Sequence, residues 1–321
     1  MYHDRVVKVD KLRTGGVLRC AFIENEESVQ MRVALVCLSI PALMVLSAAC
    51  ACPRAPASST ARGCPPRRAC KPCAAPERAP AKPPATDMVR VFEGWFLRGS
   101  PPGVGLEDER PQRKIWLSAF DIDRTETTVA QYDRCVKAGA CAAPRCVSAK
   151  QQPERRPRHP VVCVPWKQAA AYCAWTGKRL PTEAEWEKAA RGRSGRLYPW
   201  GNAAPSCELA SYSGCKKPSS TLPVGSLPKG KSVYGALDMA GNVWEWVADW
   251  HHKAYYTTSP QRNPPGPFLG IKKVVRGGAF SYAADELNAH GRTFDTPDKA
   301  YNHVGIRCAR SVIGDRNARK D

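Results

Sequence analysis

The chain has 321 residues, of which 24 are Gly and 29 are Pro, a composition that excludes a helical bundle and favours a loop-rich α+β or β fold. The net charge of +20 favours anionic partners, or else reflects only a coding bias toward Arg. Because no run of basic residues with interleaved aromatics occurs, we expect no specific nucleic-acid partner.

The N-terminal region predicts export. Residues 33–49 (VALVCLSIPALMVLSAA) carry no charge, and Met31 and Arg32 stand directly before them. A basic start, an apolar run and small residues at its end are typical of a signal peptide. We therefore interpret residues 1–30 as an over-extended start and residues 31–50 as the signal peptide. The alternative is an uncleaved membrane anchor with a cytoplasmic tail.

The residues after the apolar run suggest a lipid anchor. Small residues precede Cys50, as at a bacterial lipoprotein cleavage site, so Cys50 is the predicted lipidated residue. An ordinary signal peptidase site, which would give a soluble secreted protein, is the alternative. Residues 51–87 are rich in Pro, Ala and Arg and predict a disordered tether. The expected location is the periplasm or outer membrane, and fifteen cysteines suit an exported protein.

All nine Trp lie between Trp95 and Trp250, so residues 88–321 are expected to form one domain. Short runs of β-branched, aromatic and aliphatic residues predict six strands in this domain. Two lie at the start of the domain, two follow soon afterwards, and two lie near its end. These strands cover, in order, 89–92, 94–100, 114–117, 120–123, 273–276 and 304–309.

Three helices are predicted between these groups of strands. The first covers residues 128–138, with Thr127 or Thr128 as its N-cap. The second covers residues 166–176, where small and aromatic residues recur at helical spacing. The third follows Thr182, which forms a capping box with Glu185, and is expected to end near Ala190.

Several ordered motifs resemble the formylglycine-generating enzyme, or sulfatase-modifying factor, family. They are RLPTEAEWEKAARG (179–192), YPWGN (198–202), YGALDMAGNVWEWVADW (234–250), VVRGGAF (274–280) and VGIRCAR (304–310). The resemblance implies a C-type-lectin-like α+β fold with little regular secondary structure. It also implies an oxidase that converts a substrate cysteine to formylglycine with oxygen and copper.

The resemblance places that enzyme's copper-binding cysteines at Tyr282 and Leu287, and its active-site Ser and Asn at Ala279 and His303. Neither Tyr282 nor Leu287 offers the soft thiolate that Cu(I) prefers. No catalytic residue is therefore assigned, and copper is not expected. We predict a pseudoenzyme that acts as a non-catalytic binding or envelope-assembly module. A metal-dependent oxidase with a changed active site is the alternative.

One metal site of the family is intact in this sequence. By resemblance, a structural calcium would be held by the carboxylates of Asp238 and Glu245 and the carbonyls of Gly241 and Val243. Calcium prefers oxygen ligands, and the two carboxylates would neutralise its charge.

The eight cysteines after residue 88 predict up to four disulfides. By resemblance, Cys173 pairs with Cys308. The sequence alone leaves the other pairings open. We expect a local Cys207–Cys215 loop, and for the remaining four cysteines our hypothesis is Cys135–Cys141 with Cys146–Cys163.

Other polar residues and the partners carry weaker expectations. His290 lies near Asp285, Glu286 and Asp295 in the sequence, which suggests a metal or acid–base cluster or a solvated loop. His251 and His252 are expected at the surface. The expected partner is an envelope protein, an anionic polysaccharide or lipid, and the chain is expected to be a monomer anchored to the membrane by lipid.

Overall fold

The computed structural model describes residues 87–148, 153, 155–215 and 220–312. The predicted signal peptide, Cys50 and the tether to residue 86 lie outside the described residues. The described strands are β1 (Met88–Val91), β2 (Gly94–Arg98), β3 (Arg113–Leu117), β4 (Phe120–Asp123), β5 (Trp244–Trp250), β6 (Lys273–Arg276), β7 (Thr293–Asp295), β8 (Val304–Gly305) and β9 (Ala309–Ser311). The described helices are α1 (Val129–Lys137), α2 (Trp166–Trp175), α3 (Glu183–Arg191) and α4 (Tyr255–Thr258).

The strands form three small sheets. The first has the order β1-β4-β9 with antiparallel pairing, and the second is the β2–β3 hairpin. The third has the order β7-β6-β5-β8, in which β8 runs parallel to β5 and the other pairs are antiparallel. Long loops connect these elements, so the predicted α+β class is confirmed.

The capping residues predicted from sequence start two of the helices. Thr128, not Thr127, accepts a hydrogen bond from the Gln131 amide and begins α1, and Thr182 begins α3 with Glu185 in a capping box. The third helix continues one residue past Ala190, and Gly192 follows with a φ of 73°. This left-handed conformation favours glycine and ends the helix.

Three features of the sheets were not predicted. Strand β7 has no counterpart among the predicted strands. Residues 244–250 form β5, an inner strand of the largest sheet, in a segment to which the sequence analysis assigned no strand. The predicted strand at residues 304–309 is divided into β8 and β9, which join different sheets. Trp-rich segments are ambiguous because aromatic residues suit both strands and packed loops.

Strand β5 places alternate side chains in different environments. Trp244 and Trp246 pack with α1, α2 and the C-terminal strands, while Val247 joins the cluster around α3. Glu245 lies between the two Trp residues and therefore faces the other side of the sheet. The strand thus contributes Trp244 to one candidate site and Glu245 to another.

No helix among the described residues is long and apolar enough to cross a membrane.

Candidate functional site

The two positions where thiolates are expected by resemblance contain side chains that cannot bind Cu(I). Leu287 is fully buried and packs with Ala210 and Ala240. Tyr282 is half-buried, and its ring stands perpendicular to that of Trp244, with centroids 5.5 Å apart. The structure therefore fills this region with apolar and aromatic groups.

Every cysteine of the described residues is held in a disulfide. The pairs are Cys135–Cys141, Cys146–Cys163, Cys173–Cys308 and Cys207–Cys215, the same connectivity that the sequence analysis expected. Within the described ranges, no free thiol is available to replace the ligands missing at Tyr282 and Leu287.

We call Trp244, Tyr282, Tyr301 and His303 the aromatic–imidazole cluster. The Tyr301 ring stacks on the His303 imidazole, with centroids 5.3 Å apart and planes within 12°. The Tyr282 hydroxyl lies 3.3 Å from His303 Nε2. All except Trp244 are partly exposed, so this cluster presents both ring surface and polar atoms to solvent.

The hydrogen bonds of this cluster select one form of the imidazole. Asn302 Oδ1 lies 3.2 Å from His303 Nδ1 and can only accept, so Nδ1 carries a proton. Burial lowers the pKa of His303, an effect that Asp295 partly opposes. The imidazole is then neutral at pH 7, and its Nε2 accepts from the Tyr282 hydroxyl.

Two further properties indicate what the aromatic–imidazole cluster can bind. Burial, together with Glu286 and Asp295, raises the pKa of Tyr282, which keeps the phenol neutral. The Trp244 indole nitrogen is buried, and its polar neighbour is the Tyr282 phenol, whose pKa it lowers slightly against the effect of burial. The cluster can stack on a ligand and hydrogen-bond to it.

The predicted calcium region is built around a sharp turn. Asp238, Gly241 and Asn242 have φ angles of 57°, 77° and 60°, which curl the backbone before β5. An added Cβ at Gly241 would lie 2.2 Å from the Ser211 carbonyl oxygen, so only glycine fits there.

Glu245 is already engaged by protein donors. Arg307 Nη2 donates to Oε1 at 2.7 Å and Arg307 Nε to Oε2 at 2.9 Å, and the Trp186 indole donates to Oε2 at 2.7 Å. All three residues are buried. Arg307 thus neutralises the Glu245 charge, so Glu245 is a weaker calcium ligand than the sequence analysis expected.

The structure adds a residue that the sequence analysis missed, Glu126. Its Oε2 accepts from the Asn242 side chain at 3.1 Å, and its carboxyl group shares a hydrogen bond with that of Asp238. Burial, Asp238 and Glu245 raise the pKa of Glu126 well above its ordinary value. Burial also raises the pKa of Asp238, whose Oδ2 accepts from the Gly225 amide at 2.6 Å.

The three carboxyl groups and one guanidinium leave an excess of negative charge. Such a buried site takes up protons or binds a cation. Across the described residues, no three Cys, His, Asp or Glu side chains are arranged to hold a metal ion, so backbone carbonyls would have to complete a coordination shell. The paired carboxyls of Glu126 and Asp238 and the nearby backbone carbonyls are oxygen donors, which a hard cation such as calcium prefers.

A second buried network holds the Arg276-Gly277-Gly278 turn in place. Arg276 Nη2 donates to Glu187 Oε2 at 2.8 Å, and Arg292 donates to both oxygens of Glu183 at 2.8 and 2.9 Å. These carboxylates lie on α3, and the arginines lie on β6 and just before β7. The network therefore fixes the loop containing Tyr282 to the helix.

His290 does not face Asp285, Glu286 or Asp295 in a polar cluster. It is buried, and its Nδ1 lies 2.7 Å from Ser100 Oγ and 3.2 Å from Glu109 Oε2. Because both partners contact the same nitrogen, the group lacks the geometry of a serine–histidine relay. Sequence distance could not reveal these partners, which lie more than 180 residues away.

The adjacent histidines differ in exposure. His251 is partly buried and lies 2.9 Å from Asp108 Oδ2, while His252 is exposed. His252 and Lys253 line a surface cavity of about 620 Å³ that contains no residue of the aromatic–imidazole cluster. The structure thus separates this cavity from the region where the family resemblance expects the active site.

Comparisons with known proteins identify the family of this domain. A family model described as the sulfatase-modifying factor enzyme 1-like domain matches residues 73–312. The chain is 34% identical over 305 residues to the formylglycine-generating enzyme of Streptomyces coelicolor, covering 75% of this chain and 95% of the relative. It is 35% identical over 255 residues to the hercynine oxygenase of Mycolicibacterium thermoresistibile, covering 64% of this chain and 54% of the relative.

A solved structure supports the fold. PvdO from Pseudomonas aeruginosa is 28% identical and superposes with a TM-score of 0.63, over 71% of this chain and 95% of that chain. Together with the small sheets and long loops, this likeness confirms the predicted C-type-lectin-like α+β fold.

Proposed function

Because the chain belongs to the sulfatase-modifying factor family but carries Tyr282 and Leu287 where the family resemblance places copper ligands, we propose that it is a non-catalytic binding module. The main support for this proposal is the state of the cysteines: all eight cysteines of the described residues are in disulfides. Formylglycine formation with copper needs two thiolates, and neither position supplies one.

The aromatic–imidazole cluster is the proposed ligand-binding surface. It occupies the region of the expected active site, and its stacked Tyr301 and His303 rings are partly exposed. Its neutral phenol and imidazole supply hydrogen bonds without a formal charge. From residue 88 onward the chain has 36 basic and 22 acidic side chains, which favours an envelope protein or polysaccharide of negative charge.

To test this function, the wild type is compared with a variant in which the two cysteine ligands are introduced. The full chain and a Tyr282→Cys/Leu287→Cys variant are titrated with Cu(I) against a chelating indicator, and each is incubated with a Cys-containing sulfatase-type peptide and oxygen. The cysteines before residue 88 can bind Cu(I) and set the background of the wild type, so we expect the variant to bind more Cu(I) than the wild type. We expect the wild type to form no aldehyde. An aldehyde product from the wild-type chain would overturn the proposal.

A metal-dependent oxidase with a changed site is the second candidate function. Its support is the identity to the hercynine oxygenase of M. thermoresistibile and the imidazole present at His303. It predicts tight iron or copper binding that is lost in His303→Ala, together with oxygen uptake. Binding of neither metal by the wild type would exclude it.

We also propose export with lipidation at Cys50, on the residues around the predicted cleavage site. Metabolic labelling with a radioactive fatty acid is expected to mark the wild type but not Cys50→Ala. Labelling of both would refute lipidation at this residue.

A structural calcium held by Asp238, Gly241 and Val243, with Glu245 or Glu126, is part of the same proposal. When bound, the ion would supply positive charge to the buried carboxyl groups. Its role is to stabilise the turn before β5 and hence the position of Trp244.

A further inference from the structure

The loop between β5 and β6 exposes three large apolar side chains at its tip. Phe268 is 92% exposed, Leu269 75% and Ile271 81%. No other group of such exposed apolar residues lies this close in sequence within the described part of the chain. Exposure of one such side chain is ordinary, but three together mark a binding surface.

The base of this loop is anchored on both sides. Gly266 donates its amide to the Tyr255 hydroxyl at 2.9 Å, and His251 donates its amide to the Lys272 carbonyl at 2.8 Å. Lys273 Nζ lies between the Trp166 and Trp250 rings, 3.9 and 3.8 Å from their centroids. These contacts hold both ends of the loop in place, so the position of its apolar tip is defined.

The tip itself carries no polar side chain. Residues 264–271 read PPGPFLGI, so every side chain that the loop presents there is apolar or absent. A polysaccharide is recognised through hydrogen-bonding side chains, and this segment offers none. The chemistry favours transfer of the tip into an apolar phase.

The residues around the tip are basic. Residues 250–284 include no Asp or Glu, and of their five Lys and Arg side chains three are exposed, while Lys273 and Arg276 are buried. Arg262 and Lys272 are exposed on either side of the tip, the former stacked on Trp116 at 3.9 Å and the latter over Phe294 at 4.8 Å. Lys253 is also exposed but pairs with Glu107 at 2.8 Å. A protruding apolar tip flanked by cations complements the surface of an anionic bilayer.

We propose that the β5–β6 loop inserts Phe268, Leu269 and Ile271 into the interface of an anionic lipid bilayer. Arg262 and Lys272 then lie at the level of the lipid headgroups. This contact differs from the predicted lipid anchor at Cys50. The lipid would only hold the chain at the membrane, whereas the loop would also fix the orientation of the domain on it. It is also independent of whether the domain is catalytic.

The first test measures insertion at the tip itself, because residues 33–49 of the full chain can bind membranes on their own. Full-length Phe268→Trp is mixed with vesicles of phosphatidylcholine and about 30% phosphatidylglycerol. The wild type, with its nine Trp, gives the background emission, and the added indole is observed as the difference from it. This difference emission is expected to shift to the blue and to be quenched by brominated acyl chains. Phe92→Trp is the matched control, since Phe92 is 67% exposed on the β1–β2 turn and the indole placed there should remain unquenched. Equal quenching of the two added indoles, or no quenching in the Phe268→Trp variant, would overturn the proposal.

The second test measures affinity. Phe268→Ser/Leu269→Ser/Ile271→Ser is expected to bind the same vesicles at least about tenfold more weakly, while Phe92→Ser binds like the wild type. Lys272→Gln is expected to weaken binding about fivefold, and the loss should shrink in high salt. Unchanged vesicle binding in the triple variant contradicts the proposal. If sedimentation shows instead that the wild type self-associates through this loop, an interface between copies replaces the bilayer.

Discussion

Removing the long-range disulfide tests how the domain is held together. Cys173–Cys308 joins α2 to the C-terminal strands across 135 residues of sequence, whereas Cys207–Cys215 spans only 8. On the chain-entropy model, these separations correspond to about 5 and about 2.5 kcal/mol of stabilisation, respectively. Both sulfur atoms of the long-range pair are in fully buried residues, so replacement by Ala adds a packing loss.

The assay is urea denaturation of Cys173→Ala/Cys308→Ala and of Cys207→Ala/Cys215→Ala. We expect the first variant to lose at least about 2.5 kcal/mol more than the second in the free energy of unfolding. An equal or smaller loss in the first variant would refute the reasoning, because it would show that the loop entropy of the unfolded chain does not control stability here.

The remaining predictions concern the buried charges. Arg307→Met strands the Glu245 carboxylate and should cost about 3–5 kcal/mol in urea denaturation, of which the added change Glu245→Gln should restore part. Because the pKa of Glu126 is raised in the folded state, stability without calcium should fall as pH rises above the ordinary value of 4.5, and Glu126→Gln should flatten this dependence in thermal melts. Calcium should raise the melting temperature of the wild type more than that of Asp238→Asn; an equal rise in both would exclude this site. By NMR titration, His303 should show a pKa below 6.5, and Asp295→Asn should lower it further.

Local signals predicted much of the fold. The capping boxes at Thr128 and Thr182 depend on residues three positions apart, so the sequence alone identified the starts of α1 and α3. Strand β5 was missed because its partners β6 and β8 lie far away in sequence. Pairing across such distances leaves little local pattern in a Trp-rich segment.

The sequence predicted which residues occupy the candidate sites, but not which side chains contact one another there. The motifs located Asp238 and Glu245, and the absence of Cys at positions 282 and 287 was visible directly. Neither the Arg307–Glu245 ion pair nor the Glu126–Asp238 carboxyl pair could be inferred, because the two members of each pair lie far apart along the chain. A polar residue near a strand gives no local sign that the fold will bury it.

These contacts explain how the scaffold can persist without thiolates in its pocket. Glu245 and Arg307 tie β5 to the C-terminal segment, while Arg276 and Arg292 tie the following loops to α3. None of these groups lies at Tyr282 or Leu287, so substitutions at those positions leave the buried charge networks intact. Tyr282 can instead pair with His303, and Leu287 adds apolar contacts. Replacing Leu287 with Cys should therefore cost stability through lost packing, while the same change at half-buried Tyr282 should cost less; the reverse order in urea denaturation would contradict this view of the site.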